Sequence, residues 1–217
     1  MIDWKKIQTV LLDMDGTLLD LHFDDYFWRE HVPQRYAEKY SIEPEQAKSE
    51  LLERYRSFEG SLEWYCLDFW SKELGLDIPV LKQEVEHLIA VQPHVVEFLD
   101  AVRQRGIRAV LVTNAHGKSL SLKMEKTRLG GHLDALVCSH DLGLPKEDPA
   151  FWNRLNAVEP FDPAHTVLVD DSLPVLESAR TFGIHYLIAI LQPDRKRPMR
   201  LIEGFDAIDT FDEIFPD

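Results

Sequence analysis

The period of the apolar positions changes twice along the chain, dividing it into three stretches of different character. Val10-Leu11-Leu12 is an unbroken apolar run near the start, the pattern of a buried strand, and Gly16 permits a sharp turn as the chain leaves it. From about residue 21 to residue 91 apolar side chains recur at helical spacing, most clearly at Leu51, Leu52, Tyr55 and Phe58. Helices are expected over residues 26–40, 45–58, 62–74 and 80–89, with Pro44 in the first turn of the second and Gly75 closing the third. After Pro93 strand and helix alternate. Helices are expected over 95–105, 119–129, 148–157 and 173–182, and strands over 108–113, 135–138, 166–169 and 186–190. Residues 206–215 would complete the sheet edge and a final turn.

Such alternation predicts an α/β fold, a doubly wound parallel sheet, with an inserted α-helical cap after the first strand. The expected partition is a discontinuous core of residues 1–20 and 92–217 and a cap of residues 21–91. The chain would cross between them at residues 20–23 and 91–94, the natural hinges.

Composition narrows the function classes. The chain has 217 residues, 45% hydrophobic and 29% charged, with a formal net charge of -14. That balance is globular, and the negative charge argues against a nucleic acid polymer or an anionic membrane as partner. Cys66 and Cys138 are the only cysteines and lack metal-ligand spacing, and no apolar run is long enough to span a bilayer. A soluble, cytoplasmic protein, monomer or homodimer, is expected.

The chemistry concentrates at strand ends. Asp13 and Asp15 follow the first strand, Thr113 and Asn114 follow Val110-Leu111-Val112, and Asp170 and Asp171 follow Val167-Leu168-Val169. Lys146 lies in a loop, Leu144-Pro145-Lys146-Glu147-Asp148-Pro149, that precedes a helix. In a parallel sheet these ends gather at one rim, where open α/β sheets bind their ligands. Four carboxylates so close require a counter-charge, and Mg2+ with its preference for oxygen ligands fits that need. Lys146 adds a second cation and Thr113 a hydroxyl donor, a set suited to holding a phosphoryl group. Asp13 is then the candidate nucleophile and Asp15 the candidate acid and base. Thr113, Asn114 and Lys146 are the candidate phosphate-binding residues, and Asp13, Asp15, Asp170 and Asp171 the candidate metal site.

In this order Asp-Met-Asp-Gly-Thr, Val-Thr-Asn, Pro-Lys-Glu-Asp-Pro and Val-Asp-Asp-Ser resemble the four signature motifs of the haloacid dehalogenase superfamily. The resemblance implies a Rossmann-like core, a helical cap, and the residue roles just given. It further implies that Asp15 meets the metal through its main-chain carbonyl. Asp171 aligns with the direct metal ligand, and Asp170 with an additional or water-mediated one.

Asp15 argues against a dehalogenase, which lacks the second acid, and favours a phosphate-monoester hydrolase. A phosphomutase and a non-enzymatic phosphate sensor are the alternatives. Substrate choice would fall to the cap, where twelve of the 22 aromatic residues lie between Phe23 and Trp70, available either for stacking on a base or for the cap's own core. The segment from Leu18 to Asp24, with the aromatics after it, is similar to the bacterial GMP/IMP 5′-nucleotidases of the superfamily. That likeness implies a small phosphorylated metabolite, a purine nucleoside monophosphate, as substrate, with sugar phosphates and phosphoglycolate as alternatives. Arg195-Lys196-Arg197 and Arg200 form a basic run that either steers anions or faces solvent.

Overall fold

Apolar residues at consecutive positions need cover on both faces of a sheet, and the fold supplies it. The computed structural model describes residues 2–216. Among these, Thr9–Leu12 (β1), Arg108–Thr113 (β2), Ala135–Cys138 (β3), Thr166–Asp170 (β4), Tyr186–Ile190 (β5) and Asp206–Ile208 (β6) form one six-stranded sheet. Its order is β3-β2-β1-β4-β5-β6, and every pairing is parallel. The chain winds outward from β1 to one edge through β2 and β3, then to the other through β4, β5 and β6. The switch point therefore lies at β1, flanked by β2 and β4 in register, with Leu12 opposite both Leu111 and Val169.

Alternation along β1 divides its side chains between two layers. Val10 and Leu12 pack with Val95, Phe98, Leu99 and Val102 of helix Val95–Gln104, whereas Leu11 packs with Phe151, Trp152, Leu176 and Ala179 on the opposite face. Trp152 also donates its indole N–H to Ser178 at 2.9 Å, which satisfies a polar atom inside that second layer.

Between β1 and β2 lies a helical insert. It comprises His22–Tyr26 (α1), Val32–Tyr40 (α2), Pro44–Arg56 (α3), Leu62–Tyr65 (α4), Leu67–Leu74 (α5) and Ile78–Glu84 (α6). Its core is separate, built around Phe23, Phe27, Leu51, Tyr55, Leu67, Trp70 and Leu74. The segments entering and leaving it pair with each other: Leu19 bridges Val91, Asp20 N–H donates to the Ala90 carbonyl at 2.9 Å, and Gln92 N–H to that of Leu18 at 2.9 Å.

Three details of the insert differ from the periodicity. The first helix starts at His22 rather than residue 26, its N–H taken by the Asp20 carboxylate at 3.0 Å, and a π-helical turn at Phe27–His31 joins α1 to α2. The expected helix over 62–74 is broken at Cys66, which is extended (φ -83, ψ 109) while its sulfur accepts the Phe69 N–H at 3.4 Å. The last helix ends at Glu84 and gives way to a single 3-10 turn, Glu86–Leu88. Remaining core helices are Gly117–Thr127 (α8, after Val95–Gln104 as α7), Ser139–Leu142 (α9), Pro149–Val158 (α10) and Leu173–Phe182 (α11). None of the described helices is long and apolar enough to cross a membrane.

Candidate active site

Asp13 is the first residue beyond β1, and its N–H still bonds the Val169 carbonyl at 3.0 Å, so the sheet itself fixes where its carboxylate emerges. The chain then folds back over Met14 to Leu19, with the Gly16 N–H on the Leu19 carbonyl and the Leu19 N–H on the Met14 carbonyl, each at 2.8 Å. Gly16 has φ +87, and a Cβ there would lie 2.7 Å from the Asp171 Cγ and 2.8 Å from its Oδ2. Only glycine lets the turn and Asp171 approach so closely.

Lys146 is buried at the centre. Its ammonium donates to Asp13 Oδ1 at 2.5 Å, to Asp170 Oδ2 at 2.7 Å and to the Val112 carbonyl at 3.0 Å. Asn114 holds that loop in place: its Oδ1 accepts the Lys146 N–H at 2.9 Å, while its Nδ2 donates to Glu147 at 2.8 Å. Thr113 is buried at the end of β2 and lines the same cavity, its hydroxyl oxygen accepting the Ala115 N–H at 3.0 Å. Asp170 accepts from Lys146 on Oδ2 and from the Ser172 N–H on Oδ1 at 2.9 Å.

Carboxylate oxygens of Asp13, Asp170 and Asp171 lie within 4.8 Å of one another. Burial, with Asp170 beside it, raises the Asp13 carboxyl to about 6 despite Lys146. Desolvation and the charges of Asp13 and Asp170 push Asp171 well above the usual carboxylate range, and Arg200 and Lys146 offset this only in part. Hard oxygen donors carrying more negative charge than Lys146 compensates are the donor set a divalent ion such as Mg2+ takes, so the residues fit that cofactor. Asp15 stands apart from this trio. Its carboxylate faces Lys123, at 2.6 Å from Oδ1, and burial with the repulsion of Asp24 raises it to about 6.

The rim opens into a cavity of about 440 Å³, in the range of small-molecule sites. The core side contributes Asp13, Asp15, Thr113, Asn114, Lys146, Asp170 and Asp171, and the insert contributes Trp28, Tyr55, Trp64, Tyr65, Trp70 and Lys82. The six predicted rim residues and Asn114 thus surround one crevice. Tyr65 reaches across it, its hydroxyl donating to Glu147 at 2.6 Å. Tyr65 is the last residue of α4, before the break at Cys66 that periodicity alone did not anticipate.

Other side chains were not singled out from the sequence. Lys82, Lys123 and Asp24 form a buried ionic chain beside Asp15. The available signal was the period of α8, which puts Lys123 on the inward stripe with Ser119 and beside Leu120 and Met124. The basic run is fixed in the fold. Arg195 bonds Gln92 at 2.6 Å and Asp209 at 2.8 Å, Arg197 pairs with Asp25 at 3.0 Å, and Arg200 donates to the Asp171 carbonyl at 2.8 Å.

A doubly wound parallel sheet with paired acids after its first strand, a buried lysine and a second acidic pair at the same rim defines a hydrolytic α/β enzyme site. The sequence matches the haloacid dehalogenase-like hydrolase family over residues 7–183, and the chain belongs to that family. It is 36% identical over 215 residues, 99% of this chain and 97% of the relative, to a protein of Escherichia coli (strain K12) named GMP/IMP nucleotidase YrfG. It is 24% identical over 200 residues to a phosphorylated carbohydrates phosphatase of Thermotoga maritima, covering 85% of this chain and 86% of that one. Its fold superposes on the HAD phosphatase from Thermococcus onnurineus with a TM-score of 0.79 at 23% identity, covering 96% of each chain.

Proposed function

We propose that this enzyme hydrolyses phosphate monoesters through an aspartyl-phosphate on Asp13, and that its substrate is a purine nucleoside 5′-monophosphate such as GMP or IMP. The carrying observation is the junction of two surfaces in one cavity. A cationic and acidic rim around Asp13 and Lys146 meets a wall of the half-buried Trp28, Trp64 and Tyr65, backed by Tyr55 and Trp70 of the insert's core. The rim suits a phosphate, and the wall suits a flat aromatic base. The likeness to a nucleotidase over nearly the full length of both chains supports the same substrate class.

Each residue then has a task. Lys146 and Thr113 bind the phosphate oxygens, and Asn114 orients the Lys146 loop. An oxygen of Asp13 attacks phosphorus, the bond from phosphorus to the ester oxygen breaks, and Asp15 gives its proton to the departing oxygen. Water then attacks the phosphorus of the aspartyl-phosphate and gives a proton to Asp15, so the bond from phosphorus to the Asp13 oxygen breaks and inorganic phosphate leaves. Asp13, Asp170, Asp171 and the main-chain carbonyl of Asp15 would hold Mg2+, which when bound neutralises charge on the transferring phosphoryl group. The insert serves as a cap, residues 21–91, that seats over the rim and excludes water.

Phosphate release tests this, assayed with Mg2+ across nucleoside monophosphates, sugar phosphates and phosphoglycolate. The expected result is preference for GMP and IMP, abolished by Asp13→Asn without loss of the folded state. Preference for sugar phosphates would reject the nucleotide reading, and normal turnover by Asp13→Asn would reject the mechanism.

A further inference from the structure

Burying an ammonium group costs several kcal/mol unless it is closely paired, and lysine is among the residues least often fully buried. Two lysines outside the phosphate rim are nonetheless enclosed: Lys123 of α8 at 1% exposure and Lys82 of α6 at 2%. Asp24 of α1 lies between them, accepting from Lys82 on Oδ1 and from Lys123 on Oδ2, each at 2.6 Å. The second carboxylate on Lys123 is Asp15, whose Oδ1 accepts at 2.6 Å. Charges therefore alternate along Asp15, Lys123, Asp24 and Lys82. The first two residues come from the core, the last two from the insert.

Aromatic rings cover the two ammonium groups. The Phe23 ring lies 4.7 Å from the Lys82 ammonium and 5.2 Å from that of Lys123, and Phe27 lies 4.7 Å from Lys82. A buried ionic chain adds little to stability compared with apolar residues of the same volume. What it does add is orientation. Lys123 engages one oxygen of a carboxylate that lines the cavity, and no hydrogen bond among the described residues takes the other. Asp24 in turn fixes Lys123, and Asp24 belongs to the first helix of the insert.

We infer that Lys123 is a positioning residue: it sets the Asp15 carboxylate for proton transfer, and Asp24 and Lys82 lock it there when the insert is seated. This rests on the acid–base role proposed for Asp15. Proton delivery matters for a poor leaving group such as the 5′-oxygen of a nucleoside and little for p-nitrophenolate. The ratio of kcat/KM on GMP to kcat/KM on p-nitrophenyl phosphate covers the steps up to departure of the leaving group and excludes the shared hydrolysis of the aspartyl-phosphate, so it reads the positioning of Asp15 as the acid.

The test compares Asp15→Asn, Lys123→Met and Lys123→Arg with the wild type on both substrates. Lys123→Met is expected to lower kcat/KM on GMP by about 10²-fold, the scale of general acid–base catalysis. On p-nitrophenyl phosphate its loss should stay below about tenfold, and Lys123→Arg should restore part of the GMP rate. Equal loss on both substrates, or no loss on either, overturns the inference. Should Lys123→Met fail to fold, Lys123→Gln, which keeps an N–H donor, is read by the same ratio. If Asp15→Asn leaves that ratio unchanged, the acid–base assignment itself fails. If Asp15→Asn collapses the ratio and Lys123→Met does not, only the positioning role fails.

Discussion

Gly16→Ala separates backbone strain from crowding of the acidic rim. At φ +87 an L side chain carries a left-handed penalty of about 1–2 kcal/mol. For a chain of this length that lowers Tm by roughly 2–8 °C. The new Cβ would also lie 2.8 Å from Asp171 Oδ2. Ordinary contact needs about 3.5 Å, so the Asp171 carboxylate must retreat by roughly 0.7 Å. Misplacement on that scale costs about 10²-fold where a site depends on geometry. Gly106→Ala is the matched control, because Gly106 has φ +69 with nothing within 4 Å of its would-be Cβ. Both variants should lose similar Tm in a thermal melt. Only Gly16→Ala should lose about 10–100-fold in kcat and need more Mg2+ for half-saturation. A Gly16→Ala enzyme with wild-type kcat and Mg2+ dependence would refute the claim that close approach of Asp171 shapes the site.

Two other outcomes follow from the same geometry. Tyr65→Phe removes the 2.6 Å hydrogen bond to Glu147 that joins the insert to the Lys146 loop. A hydrogen bond to a charged group contributes about 1.5–3 kcal/mol, so Tm should fall by roughly 3–12 °C and kcat/KM by about tenfold as the Lys146 loop loosens; an unchanged melt with unchanged steady-state kinetics would contradict it. The acidic rim also makes stability depend on pH and metal. Asp13 and Asp15, raised from the ordinary 3.8 to about 6, keep protons when folded that the unfolded chain has released. Their contribution to stability therefore falls as pH rises from near 4 to near 6. Asp24, which burial would raise but Lys123 and Lys82 hold at about 2, works in the opposite sense, its stabilisation lost only as pH drops from near 4 toward 2. A divalent ion relieves the first effect, so the gain in Tm from Mg2+ over EDTA should be larger at pH 7 than at pH 5; equal gains would sink this account.

The sheet was the most legible part of the chain because its signals are local. β2, β3 and β5 begin and end where the apolar runs do, and Gly75 and Gly106 stop their helices as turn chemistry predicts. The insert was read less well because its boundaries depend on tertiary contacts. Nothing in the spacing of residues 62–74 marks Cys66 as a break; the extended backbone there lets the Trp70 indole reach the Trp64 carbonyl at 2.9 Å. At the site, the residues adjoining strand ends could be placed together from topology alone. Lys123 and Lys82 could not, since a lysine in an amphipathic helix is by default a solvated side chain, and only packing shows it turned inward.

That distinction changes how the charge of the chain is understood. The formal net charge of -14 describes mostly solvated groups and says little about the cavity. Around the rim, Asp13, Asp15, Asp24, Asp170 and Asp171 face Lys82, Lys123 and Lys146, leaving two negative charges unmatched. Asp25 at the mouth is already paired with Arg29 and Arg197, and Glu59 is exposed. One divalent cation would bring the enclosed set to neutrality, and the raised carboxyls of Asp13 and Asp171 are where the deficit is felt. The lysines divide the remaining work by position. Lys146 holds Asp13 and Asp170, and Lys123 holds Asp15; on the proposed mechanism these are the phosphate side and the side of the leaving group. Two carboxylates two residues apart are thus raised alike, to about 6, and differ in their partners, Asp13 being held by Lys146 and Asp15 by Lys123.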